Sequence, residues 1–261
     1  MILTIALVLA VQSHADEIDN AIAEAGLVED VTHDTKIYSG KCHPSGPAYV
    51  VERYGGSIRI IRKHPMDAEP KRELSAGLIK YVWENHGEFG GKLDAVWPDK
   101  RKKPLLEENI VSMIQSGEFL YVFTGLRHME GRGAVYRISN FDNNPKVSRV
   151  TLLPGRPLAL LDSRRETATS SSARSRLIYS PVFFIITDES LLALNPDAGW
   201  LRIITHHPLW EELLPNSAVQ AGDRVVIGTC PGVAVIEFYN NYYLKNIRMF
   251  VPGRTKLDKP R

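Results

Sequence analysis

The sequence predicts an all-β chain built from a repeated four-stranded unit and preceded by a short helix. Two patterns carry the prediction. Runs of β-branched and aromatic residues recur in pairs, as suits pleated, half-buried strands. A small residue followed by Gly or Pro stands before each pair. A third feature, the apolar run at residues 2–11, stands apart from the repeat.

The clearest unit is the third. Ser116-Gly117 precedes Phe119 to Phe123, and Gly133 opens the return run Ala134 to Ile138. The pattern has four other copies. Ser45-Gly46 precedes Tyr49 to Val51 and Ile58 to Ile61. Ala76-Gly77 precedes Ile79 to Trp83 and Leu93 to Trp97. Ser180-Pro181 precedes Val182 to Ile186 and Leu191 to Leu194. Ala221-Gly222 precedes Arg224 to Ile227 and Val233 to Ile236. Outer strands follow at Lys146 to Leu152, Trp200 to Ile204 and Leu244 to Val251, with weaker ones at Pro70 to Leu74 and Lys103 to Leu106. Innermost strands are expected at Ile37 to Ser39, Glu73 to Ser75, Val111 to Gln115, Leu177 to Ser180 and Ser217 to Gln220.

Most steps between units approach the roughly 40–50 residues of a propeller blade. The step from 117 to 181 is longer. The Arg/Ser/Thr-rich run 163–175 has no apolar periodicity and reads as an insert joining the third unit to the fourth. Five units of four antiparallel strands resemble a β-propeller of five blades over residues 35–252. The resemblance is to the architecture alone, since no Gly-His/Trp-Asp pair or kelch signature recurs, and a superfold carries no function with it. An all-β sandwich or two small β domains is the second architecture.

Residues 1–15 look like a secretory signal peptide: a short apolar stretch, then Ser13-His14-Ala15 and the acidic Asp16-Glu17. Residues 16–34 form a helix and arm, with Ile18, Ile22 and Ala25 at helical spacing. Residues 253–261 are a tail. The location expected is periplasmic or secreted, with no transmembrane anchor in the mature chain. The 261 residues are 24% charged with a net charge of +2. That balance gives no case for nucleic acid. Cys42 and Cys230 fall in the first and last units, which are neighbours in a closed ring. Counting strand ends from an innermost strand at 37–39 puts them at opposite faces, which argues against a bond.

No catalytic motif is present. Loops between second and third strands, with the insert, are expected on one face, where binding is commonly grafted. His86, Glu88, Phe89, Arg127, His128, Met129, Glu130 and Arg132 lie in the two longest. His86-x-Glu88 and His128-x-Glu130 have the right types for acid–base or metal chemistry, but the spacing is not diagnostic, and no metal or cofactor is expected. Arg and aromatic residues are frequent interface anchors. The function expected is an exported, monomeric, non-enzymatic binding protein. A protein partner, in an inhibitor, immunity-like or scaffold role, docks on that face, with the opposite face around Pro98 to Lys103 as the second location. The alternatives are a sugar-binding lectin or a five-bladed-propeller glycoside hydrolase. The hydrolase needs paired carboxylates near the axis, of which Glu73 is the first candidate.

Overall fold

Gly77, Gly117 and Gly222 set the register of three sheets. Each has φ near +60° and is followed by a residue with ordinary φ. Each opens a two-residue hairpin, closed by Ala76 and Ile79, Ser116 and Phe119, or Ala221 and Arg224. That is the geometry of a type II′ turn, which needs Gly at its first central position. At these three units the small-Gly signal in the sequence is therefore a turn signal with a conformational cause.

A computed structural model describes residues 16–30, 42, 46–63, 72–86, 90–126, 132–162, 183–206, 210–239 and 243–253. The described chain is almost entirely antiparallel sheet, and its repeated meanders make it propeller-like. It forms two compact units: residues 69–210, and residues 1–68 with 211–261.

The 69–210 unit holds three four-stranded meanders in chain order. To number strands from the N-terminus, β1 (Leu27–Glu29), β2 (Ala48–Tyr54) and β3 (Ser57–Lys63) belong to the other unit. The first meander is β4 (Glu73–Ala76), β5 (Ile79–Asn85), β6 (Gly91–Val96) and β7 (Lys102–Leu106). The second is β8 (Ile110–Ser116), β9 (Phe119–Leu126), β10 (Arg132–Ser139) and β11 (Lys146–Leu153). The third is β12 (Pro157–Asp162), β13 (Phe183–Thr187), β14 (Ser190–Asn195) and β15 (Trp200–His206).

Strand β5 alternates cleanly, burying Ile79, Tyr81 and Trp83 and exposing Lys80 and Glu84. Strands β13 and β14 bury both faces, which explains their unbroken apolar runs. The second and third meanders pack through Tyr121, Phe123 and Phe183, whose rings meet edge to face with centroids 4.9 and 5.2 Å apart.

The insert does not join two meanders. Asp162 pairs with Phe183, so the chain leaves between the first and second strands of the third meander. Strand β12 takes the innermost position, and the run Leu177 to Ser180 expected there lies outside the described residues, as does Ile37 to Ser39. Pro157 is allowed because it stands first in its strand. Of the outer strand expected at Pro70 to Leu74, the described Glu73 and Leu74 instead belong to Glu73–Ala76, which opens the first meander.

In the other unit the first described element is helix α1, seen over residues 16–24. Its Ile18, Ala21 and Ile22 join the same core as Tyr49, Val51, Ile58 and Val235. After Gly26 the arm becomes β1, which the sequence reading missed. It pairs with β19 (Tyr243–Pro252), Leu27 opposite Pro252. The resulting sheet has five strands, ordered β1-β19-β18-β17-β16, with β16 (Ser217–Ala221), β17 (Arg224–Gly228) and β18 (Val233–Tyr239). Strands β2 and β3 form a separate hairpin around Gly55-Gly56, both at positive φ. Among the described residues, the five sheets are thus three of four strands, one of five and one of two, where four strands were expected in each. A short helix α2 (Trp210–Leu213) precedes β16.

Cys42 and Cys230 are bonded, with Cα atoms 5.8 Å apart. This corrects the expectation from strand ends. The Tyr49 N–H donates to Thr229 O at 2.9 Å, and Val51 N–H to Ser217 Oγ at 2.8 Å. The start of β2 therefore lies beside the end of β17, and Cys42 precedes the one as Cys230 follows the other.

Candidate functional site

In the 69–210 unit, side-chain ties show which strand ends lie together. At one end, Asn85 holds Ile110 through both its amide atoms, accepting from Ile110 N–H at 2.9 Å and donating to Ile110 O at 2.6 Å. Asp188 accepts from Arg156 N–H at 3.0 Å, and Gly125 N–H donates to Asn109 O at 3.1 Å. This end carries the connections between second and third strands, and it is called the loop end. At the other end, Tyr81 donates to Phe141 O at 2.6 Å and Lys103 to Pro145 O at 3.0 Å. This turn end carries the two-residue hairpins and the departure of the insert, which was expected at the loop end.

Of the expected site residues, His86 and Arg132 are described, and both are exposed at the loop end. Glu88, Phe89, Arg127, His128, Met129 and Glu130 lie outside the described residues. His86 N–H donates to Gly90 O at 2.7 Å, fixing the neck of its loop. Its ring lies 3.5 Å from Glu84, a residue the sequence reading passed over. Lys92, 3.3 Å from the same carboxylate, is the main cause of its lowered pKa, with His86 a lesser one.

The loop end also holds a polar cluster that sequence reasoning missed. Glu108 accepts from Thr124 Oγ1 at 2.5 Å and from the Tyr136 hydroxyl. Burial, and next the bond to Glu108, push the Tyr136 hydroxyl up to about 12. The adjacent acids Glu107 and Glu108 were the only signal in the sequence, and they sit outside the strand. Another carboxylate here, Asp188, accepts from the Arg156 backbone.

Glycines close the scaffold at this end. A Cβ on Gly133 would stand 2.7 Å from Gly155 O and 2.9 Å from Pro157 Cδ. One on Gly91 would stand 2.8 Å from Glu108 O. These positions permit close approach of neighbouring backbones, a role distinct from that of the turn glycines.

Glu73, the expected hydrolase acid, is 58% exposed and pairs with Lys80 at 3.1 Å. Among the described residues, no group of three His, Cys, Asp or Glu side chains is placed to hold a metal ion. No helix among them is long and apolar enough to cross a membrane.

No protein-family pattern matches this chain, and no curated protein does. Among solved structures, it is similar to an engineered GH43 glycoside hydrolase with endo-xylanase and exo-arabinofuranosidase activity: 9% identity, TM-score 0.33, over 71% of this chain. The chain spans 42% of that protein's length. It is also similar to a Bacteroides uniformis protein provisionally assigned as a 6-phosphogluconolactonase: 10% identity, TM-score 0.43, over 78% of this chain and 68% of that one. Likenesses this low carry no inference about activity.

Proposed function

We propose that this chain is an exported, monomeric, non-enzymatic binding protein. A partner protein docks on the loop end of the 69–210 unit, and the five sheets act as five blades of a scaffold. One observation carries the reading. Three polar side chains at the loop end are used as braces: Glu108 by Thr124 and Tyr136, Asp188 by Arg156, Asn85 by Ile110. The described loop end presents His86 and Arg132 to solvent beside the two longest loops, together with Glu84, Lys92, Glu107 and Glu189. A braced rim that carries an imidazole, cations and acids in the open suits recognition of a partner surface. Export agrees with a disulfide that ties the two chain segments of its unit, because such bonds persist in oxidising compartments.

The test is capture of a partner by the immobilised chain from the exported fraction of the cells that make it. The double variant His86→Ala/Arg132→Ala should lose binding by roughly 2 kcal/mol or more if these residues are anchors. Equal recovery by both forms removes the loop end as the docking face. Turnover of a glycan panel by the wild type, abolished in Glu108→Gln, replaces the reading with an enzyme.

A further inference from the structure

The turn end of the 69–210 unit carries a cavity of about 430 Å³ that the loop-end reading does not use. It is lined by Trp97, Arg101, Lys102, Lys103, Asn143 and Asn144. Two turns build it. The Trp97–Arg101 turn joins β6 to β7, closed by Trp97 N–H to Arg101 O at 3.0 Å and Lys100 N–H to Trp97 O at 2.9 Å. The Asn140–Pro145 turn joins β10 to β11, closed by Asn143 N–H to Asn140 O at 3.2 Å. Lys103 joins the two walls by donating to Pro145 O at 3.0 Å and Asn144 Oδ1 at 3.4 Å.

The charged side chains that line this cavity are all cations, with Asp99 beside them in the same turn. Residues 100–103 are four consecutive cations. Asp99 is held by Arg101, whose Nε lies 2.6 Å from Asp99 Oδ2, and the same guanidinium stacks on Trp97 at 5.2 Å. Asp142, in the other turn, packs against the site of Gly77 instead. Lys102 pairs with no acid among the described residues.

Lysines and a proline on β7 have a plain structural use, because charge and Pro protect an edge strand from pairing with another chain. That use needs neither an indole nor two carboxamides on the facing turn. Their convergence with the cations is the added observation.

We infer that this cavity binds an anionic saccharide: a sugar bearing a carboxylate or sulfate, one or two rings in size. The volume falls in the range of small-molecule sites and exceeds what one inorganic anion fills. Arg101 and Lys102 supply charge for the acidic group. Asn143 and Asn144 each offer a donor and an acceptor, the set that neighbouring hydroxyls need. Trp97 supplies a flat apolar surface for a ring. Nucleic acid fits less well. The cationic run is confined to one turn, and a phosphate backbone calls for a longer track.

The experiment is calorimetric titration of the full chain at low salt with four probes: a uronic-acid disaccharide, a sulfated disaccharide, a neutral disaccharide of equal size, and sodium sulfate. The expected result is saturable binding of at least one anionic disaccharide at ~1 mM or tighter, and none of the neutral one. Arg101→Gln and Lys102→Gln should each weaken it about tenfold, the loss of one charged contact. Lys63→Gln, an exposed lysine of the other unit, should leave it unchanged. No saturable binding, equal binding of the neutral sugar, or sulfate matching the disaccharide overturns the inference. So does a short DNA duplex that binds more tightly than either sugar. Unchanged affinity in Lys102→Gln together with new self-association returns these lysines to edge protection alone.

Discussion

Replacing both Cys42 and Cys230 by Ser should destabilise the unit formed by residues 1–68 and 211–261 by about 3–5 kcal/mol. The bond spans 188 residues. Loop-closure entropy for a span of that length comes to about 5 kcal/mol at 25 °C, the top of the range that disulfides deliver. The noncovalent ties between the two chain segments include three register pairs between β1 and β19, the bonds from Tyr49, Val51 and Arg53 to the 217–229 region, the ion pairs Arg224–Asp19 and Arg248–Glu29, and a shared apolar core. None of them survives in the unfolded chain, so none substitutes for the crosslink there. The assay is urea denaturation of the oxidised wild type and the Cys42→Ser/Cys230→Ser variant, followed by circular dichroism. Alkylation of the denatured, unreduced wild type checks the bond itself, and no reagent should be incorporated. A stability difference under about 1 kcal/mol would refute the entropy reasoning, and full alkylation without reductant would refute the bond.

Three other perturbations follow from the packing. Glu237 lies within 3.6 Å of Arg224, Arg248 and Lys245, and Glu237→Gln should cost about 2 kcal/mol in urea. That is less than for a fully buried pair, because the arginines are partly solvated. Tyr136 ionises at about 12 in the folded chain against about 10 in the unfolded one. A raised pKa means that stability is fully present below pH 10 and is lost as pH rises from about 10 to about 12. The urea midpoint should fall across that window and fall less in Tyr136→Phe, while a flat profile in the wild type would contradict the assignment. Gly133→Val should destabilise by about 2–3 kcal/mol because the new side chain meets backbone at Gly155 and the Pro157 ring. A change within about 0.5 kcal/mol would show that the two meanders are free to separate there.

The repeat was legible because its signals are local. A Gly at the first position of a two-residue turn, flanked by apolar pairs, marks a hairpin wherever it occurs, and Gly77, Gly117 and Gly222 did so. The three residues of β1 carry no such signal. Leu27 to Glu29 is a strand only because β19 offers an edge more than 200 residues away in sequence. Placement of the insert failed for a related reason. Leu177 to Ser180 reads as a strand by composition, whereas β12 opens with Pro157 and follows Pro154-Gly155-Arg156, which looks like linker. The disulfide depended on which end of β2 and β17 come together, a fact of packing. At the site, loop composition pointed to His86 and Arg132. It did not point to Glu108, whose partners Thr124 and Tyr136 come from two other strands. Gly91 and Gly133 looked like loop punctuation, and their close-approach role appears only when neighbouring sheets are in place.

Hydrogen–deuterium exchange of the captured complex locates the docking face on the chain. Exchange is compared peptide by peptide with that of the free chain. A partner seated on the loop end should slow exchange across residues 86–90 and 127–132 and leave 97–103 unchanged. Protection at 97–103 with none at the two loops would contradict the proposed docking face.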